Sequence, residues 1–272
     1  MKITALVENT TNDKALKSKN GLSVYIETPR HKILFDLGPD DTFIYNAKKL
    51  GIDLADIDTV VISHGHFDHG GALASFLKVN NKAKIYIHRL AFEAYYIKIL
   101  FAKIQIGLDK SLLDDDRMIL TGDTITINDE LLIFSDVEGM FCTKSNSVLL
   151  KKTASGYIKD DFAHEQSLIV ISEGKSALFS GCSHRGISNI LFAAKRHQPA
   201  ISAVFGGFHL YNPAIKTTEP PEVVQGLADE LSRYDVVFYT GHCTGRKAFE
   251  GLREYFGGDK VKYFSTGTVI NL

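Results

Sequence analysis

Tryptophan is absent from this 272-residue chain, and cysteine, methionine and proline are scarce at three, three and six. Cys142, Cys182 and Cys243 are too few and too scattered to form a disulfide framework. That excludes the small stapled secreted folds and points to a reducing, cytoplasmic compartment. No apolar run approaches the roughly 18 residues that cross a bilayer. Met1-Lys2-Ile3-Thr4-Ala5-Leu6-Val7 lacks the long apolar stretch and small-residue cleavage site of a secretion signal. An excess of either charge is missing too: 31 Lys and Arg stand against 32 Asp and Glu. No bulk field therefore draws the chain to nucleic acid or to a membrane surface, and neither is an expected partner. What is present is an ordinary globular composition, 44% hydrophobic and 23% charged. Its length suits one α/β domain over 1–272.

Short apolar runs bounded by turn residues predict strands over Ile3–Val7, Leu22–Glu27, Lys32–Phe35 and Asp58–Ser63. Helical composition predicts helices over 42–50 and 70–78, a strand at Lys84–His88, and an aromatic-rich helix over 90–102. From 109 to 161 the texture changes to acidic turns and short strands, including Thr124–Ile127, Leu131–Phe134 and Val148–Lys152. This reads as an inserted segment covering about residues 90–160. The rest repeats strand, loop and helix three times, with helices near 187–197, 219–233 and 245–256 and a last strand at Val261–Phe264. Each of those three strands ends near a glycine and a histidine.

The most informative stretch is Ser63-His64-Gly65-His66-Phe67-Asp68-His69-Gly70-Gly71, directly after a predicted buried strand. Four possible ligands fall within six residues. Imidazole and carboxylate donors at this density suit one or two Zn²⁺ ions, with Fe or Mn also compatible. His64 and His66 lie two apart in extended chain and point the same way, while the glycines permit the tight backbone such convergence needs.

With these residues the chain resembles the metallo-β-lactamase superfamily, whose fold is a four-layer αββα sandwich with a metal site at the sheet edge. Further stretches resemble the branch of dihydropterin-6-methyl-aminobenzene ribosyl phosphate synthases. They are Asn46–Leu54, Gly181-Cys182-Ser183-His184, Gly206-Gly207-Phe208-His209-Leu210 and Thr240-Gly241-His242-Cys243-Thr244-Gly245. The resemblance implies that His64 and His66 bind one metal, and Asp68 and His69 a second. It gives Asp36 the task of orienting the ligands from behind, and places His164 as a further ligand. The wider superfamily carries a bridging aspartate where this chain has Cys182. Cys182 and His184 are both candidates for that role. His242 matches the last ligand. Likeness to the phosphodiesterase branch that processes tRNA ends gives His209 a proton-donor role, and Asp68 is the second catalytic candidate. Asn9 matches a polar position near the pocket. Thr244 and Arg246, at a helix start, are candidates to hold an anionic group of the substrate. Lys19-Asn20 departs from the Glu-His that the synthase branch carries there.

The implied function is a metal-dependent hydrolase using a metal-activated water on a small anionic ester, lactone or phosphodiester. The alternatives are the synthase reaction itself and a non-catalytic binding module.

Overall fold

The computed structural model describes residues 1–141 and 143–272, which leaves Cys142 outside the described residues. The first third of the chain runs β1 (Lys2–Val7), β2 (Ser23–Glu27), β3 (Lys32–Phe35), α1 (Thr42–Lys49), β4 (Thr59–Ile62), α2 (Phe67–Gly70), α3 (Leu73–Val79) and β5 (Lys84–His88). The middle holds β6 (Tyr95–Ile99), β7 (Ala102–Gln105), β8 (Met118–Thr121), β9 (Thr124–Thr126), β10 (Leu131–Phe134), β11 (Leu149–Thr153) and β12 (Gly156–Lys159). Then come β13 (Ser167–Ser172), β14 (Lys175–Phe179), α4 (Ile187–His197), β15 (Ala203–Gly206), β16 (Tyr211–Asn212), β17 (Thr217–Thr218), α5 (Pro221–Leu231), β18 (Val237–Thr240), α6 (Arg246–Phe256), β19 (Val261–Tyr263) and β20 (Val269–Asn271).

Two seven-stranded sheets result, ordered β20-β1-β2-β3-β4-β5-β8 and β19-β18-β15-β14-β13-β10-β9. Alternation along each strand decides what each face touches. In β3, Ile33 and Phe35 face the other sheet, while Leu34 packs outward against Phe43 of α1 and Phe76 of α3. In β14, Ala177 and Phe179 point inward, while Leu178 packs outward with α4, α5 and α6. The Phe35 and Phe179 rings meet across the interface with centroids 6.0 Å apart. Each such ring, withdrawn from water, contributes about 1.5–3 kcal/mol. The outcome is a four-layer αββα sandwich.

The strands next to the site run parallel: β3, β4 and β5 in one sheet, β14, β15, β18 and β19 in the other. Parallel neighbours place their carboxyl ends along one edge of their sheet, where open α/β sheets gather functional loops. Each of the loops after β3, β4, β14, β15 and β18 carries at least one of the residues described below.

The helix expected over 90–102 is not there. Tyr95–Ile99 and Ala102–Gln105 form a hairpin instead, turned at Leu100, whose φ is +53°. Tyr-Tyr-Ile-Lys-Ile is aromatic and β-branched, and a partner strand, β11, is available to receive it. The helix expected over 70–78 is broken at Gly71 into α2 and α3. The segment read as inserted is divided in the structure. β8 extends the first sheet and β9 and β10 extend the second, while β12-β11-β6-β7 form a separate four-stranded sheet. Among the described residues, no helix is long and apolar enough to cross a membrane.

Candidate metal centre

Three buried histidine nitrogens open the site: Nε2 of His64, His66 and His184 have no hydrogen-bond partner among the described residues. One ring nitrogen from each of the three residues lies within 4.8 Å of one from the other two. An orphaned, buried imidazole nitrogen is costly. Three converging on one point are what a cation needs, so the donor set fits a metal of the kind the sequence implied.

The opposite side of the His64 and His184 rings is held by protein. His184 Nδ1 lies 2.9 Å from Asn146 Oδ1, and the Asn146 amide is fixed by donating to the carbonyls of Phe141 and His184. His64 Nδ1 lies 2.8 Å from Ser63 Oγ, which donates to Asp36. These acceptors keep the proton on Nδ1 and leave Nε2 as the lone-pair donor. Phe162 stacks on His184 at 4.4 Å with ring planes 3° apart, fixing its tilt.

A second cluster lies beside the first. His69 Nε2 is 3.2 Å from both His242 Nε2 and Cys182 Sγ, and His242 Nε2 is 3.5 Å from Asp68 Oδ2. The far nitrogens are again anchored: His69 Nδ1 to Asp36 at 2.6 Å, His242 Nδ1 to Asn9 Oδ1 at 2.9 Å. Cys182 Sγ also lies within 4.8 Å of ligand atoms of His64 and His69, and of His184 and His209. It therefore sits between the two clusters.

Burial and the neighbouring imidazoles push His64 and His184 well below the usual histidine range, and burial also lowers His66. Each of these shifts favours the neutral, donating form. Burial opposes charge on His69, but Asp36 and Asp68 raise it to about 9. Burial alone would raise Asp68, and the imidazoles of His69, His242 and His66 outweigh it. Burial also works against ionising Cys243, yet the Cys182 sulfur and the imidazoles of His242 and His209 hold it well below the ordinary thiol range.

The backbone shows the same concentration. Asp36, Ser183, His209 and His242 all take left-handed φ values, between +48° and +59°. Such conformations are rare outside glycine and cluster at functional loops. Gly181 is demanded by proximity: a Cβ there would run into the Ser63 side chain.

His164 packs against the same loop: its Nδ1 accepts the Gly65 N–H at 2.8 Å and its Nε2 lies 3.1 Å from Asp160 Oδ2. With His66 and Asp160 it forms a further group whose ligand atoms lie within 4.8 Å of one another. Asp36 lies where the resemblance put it, accepting from Ser63 N and Oγ and facing His69. Asn9 holds His242 from behind. Thr244 is buried, its hydroxyl accepting from Phe208 N and facing Thr240. Arg246 is exposed, its guanidinium 4.3 Å over the Tyr263 ring. Neither lines the pocket that opens on the histidines.

Several supports carry no motif. Glu8 accepts the His242 N–H at 2.6 Å, and Glu165 accepts the N–H groups of His184 and Arg185. Gln166 ties Ile62 and Tyr86 together by donating to both carbonyls.

The pocket, about 200 Å³, has a polar floor of His66, Asp68, Cys182, His184, His209 and His242. Its walls are apolar: Phe67, Ile97, Ile106, Leu149, Pro213 and Ala214, with Asn20 and Asn212 at the side. No Lys or Arg is among the lining residues. Both ring nitrogens of His209 are buried and unpartnered among the described residues, and its ring lies 4.2 Å from that of His184.

The family model described as metallo-beta-lactamase superfamily matches residues 18–106, a span holding Asp36 and the whole His64–His69 motif. Over that third of the chain the sequence is similar to the metallo-β-lactamase superfamily. Across its full length it is also similar to the crystal structure of Tm1679, described as a metal-dependent hydrolase of the β-lactamase superfamily. That match has a TM-score of 0.81 at 26% identity, covering 100% of this chain and 99% of the other. A curated relative from Methanocaldococcus jannaschii, 28% identical over 89% of this chain and 86% of its own, is named 7,8-dihydropterin-6-methyl-4-(β-D-ribofuranosyl)-aminobenzene-5'-phosphate synthase. Zn²⁺-bound PqqB from Methylobacterium extorquens shares the metallo-β-lactamase fold at 12% identity, with a TM-score of 0.59 and full coverage of both chains.

Proposed function

We propose that this protein is a metal-dependent hydrolase of a small ester, lactone or phosphodiester whose negative charge, where it has one, lies at the reacting group. The observation that carries the reading is the set of converging, unpartnered Nε2 atoms on the floor of an apolar-walled pocket. His64, His66 and His184 would hold one divalent ion, zinc being the simplest match for this donor set, and His69, His242 and Cys182, with Asp68 beside them, a second. Such ions polarise an acyl or phosphoryl oxygen and bring the pKa of a water toward neutrality.

The chain's own residues supply the rest. Asp68 is part-exposed to the pocket and fixed by its place at the start of α2, where it can accept a proton from an attacking water. His209, buried beside His184 with both nitrogens free of protein partners, is placed to give a proton to a leaving group. Phe67, Ile97, Ile106 and Leu149 exclude water from one side of the substrate and favour an uncharged, apolar substituent. Asn20, at the position where the sequence departs from the synthase branch, lines the pocket, which supports a substrate different from the synthase's.

The test is selective. His209→Ala should lower kcat by about 10²- to 10⁴-fold on a substrate with a poor leaving group, and much less on an activated aryl ester. Metal content should be unchanged. An equal loss on both substrates, or loss of metal, would make His209 a ligand or a structural residue. Condensation of a dihydropterin with an aminobenzene ribosyl phosphate, with no hydrolysis of any ester class, would replace the hydrolase reading by the synthase one.

A further inference from the structure

Two cysteines meet at the second cluster, brought there by strands that are not neighbours. Cys182 follows β14 and Cys243 follows β18, with β15 between them. Both side chains are buried, at 4% and 3% exposure. Cys182 Sγ, Cys243 Sγ and a ring nitrogen of His242 lie within 4.8 Å of one another, and Cys243 Sγ is 3.6 Å from the Cys182 carbonyl. The loop after β15 makes room for the second sulfur. Gly207 N donates to the Gly181 carbonyl at 2.8 Å, and a Cβ on Gly207 would collide with Cys243 Sγ. His69 Nε2 lies 3.2 Å from both Cys182 Sγ and His242 Nε2, so the two imidazoles and the two sulfurs adjoin one another.

We propose that Cys243 is a second thiolate ligand at this position, so that His69, His242, Cys182 and Cys243 form a two-nitrogen, two-sulfur metal site. This rests on the reading that the clusters hold metal. Thiolate and imidazole together match the soft and borderline ions, Zn²⁺ above all, and disfavour Mn²⁺ and Mg²⁺, which prefer oxygen. The two positions therefore differ in chemistry: three imidazoles at one, a dithiolate pair at the other. Asp68, relieved of a ligand's duty, is left free to face the pocket.

The experiment is cobalt(II) substitution of the purified full chain, read by absorption. Thiolate-to-cobalt charge transfer in the near ultraviolet scales with the number of bound sulfurs. The wild type should show the band, Cys182→Ser and Cys243→Ser should each show about half its intensity, and the double variant none. A full-strength band in Cys243→Ser, with cobalt still bound, overturns the proposal. A wild type that binds no cobalt defeats the underlying metal reading and this proposal with it. A wild type that binds cobalt without the band defeats only the thiolate assignment. Should Cys243→Ser fail to fold, peptide mapping of wild-type alkylation settles the question. Zn²⁺ should slow labelling of both Cys182 and Cys243 at least tenfold, and chelation should release both. Equal labelling of Cys243 in zinc-bound and chelated protein overturns the assignment.

Discussion

Asp36 shows how much one buried carboxylate can organise: it accepts the Ser63 N–H at 2.7 Å and the Ser63 hydroxyl at 2.7 Å, and holds His69 Nδ1 at 2.6 Å. Its charge raises His69 to about 9. Because that folded-state value lies above the unfolded one, near 6.5, the stability it contributes is fully present below pH 6.5. It is lost as pH climbs toward 9. Metal-free protein should therefore melt at progressively lower temperature between pH 6.5 and 9 in a calorimetric series, and Asp36→Asn should flatten that slope. His164 and His184 make a second residue-scale contrast. His184→Ala should remove about one metal equivalent per chain by elemental analysis. His164→Ala should keep full stoichiometry at saturating zinc. It should still lose about 1–3 kcal/mol of stability, because the Gly65 N–H and the Asp160 carboxylate are left unpaired.

At the scale of elements, the site is a set of loops hung from the carboxyl ends of parallel strands, and their close packing is itself a constraint. Gly181→Ala would push the Ser63 side chain off Asp36, and should cost about 1–3 kcal/mol and weaken metal binding, measured by denaturation and by zinc titration. The separate β12-β11-β6-β7 sheet builds the apolar wall through Ile97 and Leu149. Leu149→Ala should raise KM several-fold for substrates with apolar substituents while leaving metal content alone. These elements were unequally legible in the sequence. Strands such as Lys32–Phe35 and Lys84–His88 announce themselves by composition and by the turns around them, and His64–His69 by ligand density. Tyr95–Ile99 misleads because its aromatic pattern suits a helix face as well as a strand, and only β11, some fifty residues later, decides. Likewise, nothing near Asn146, Glu8 or Glu165 marks them, since their partners His184 and His242 lie 38, 234 and 19 residues away. His164 has the right type for a ligand, but its contacts with Gly65 and Asp160 could not be read from the sequence.

Over the whole molecule, two adjoining clusters of candidate ligands join the two sheets: His64, His66, Asp68 and His69 come from the first, Cys182, His184 and His242 from the second. Each sheet has its own helical cover. The buried nitrogens facing one another at the seam are costly unless a cation satisfies them. A bound metal therefore couples the halves, and an ion at 100 times its Kd adds about 2.7 kcal/mol to stability. The most direct test of the account is the melting temperature of the purified protein before and after chelation, with metal content measured on the same sample. The account predicts one or two transition-metal ions per chain, a fall on the order of 5–10 °C on adding EDTA, and recovery with Zn²⁺. A protein that is metal-free as isolated and melts at the same temperature with EDTA, without it and with added Zn²⁺ would contradict it.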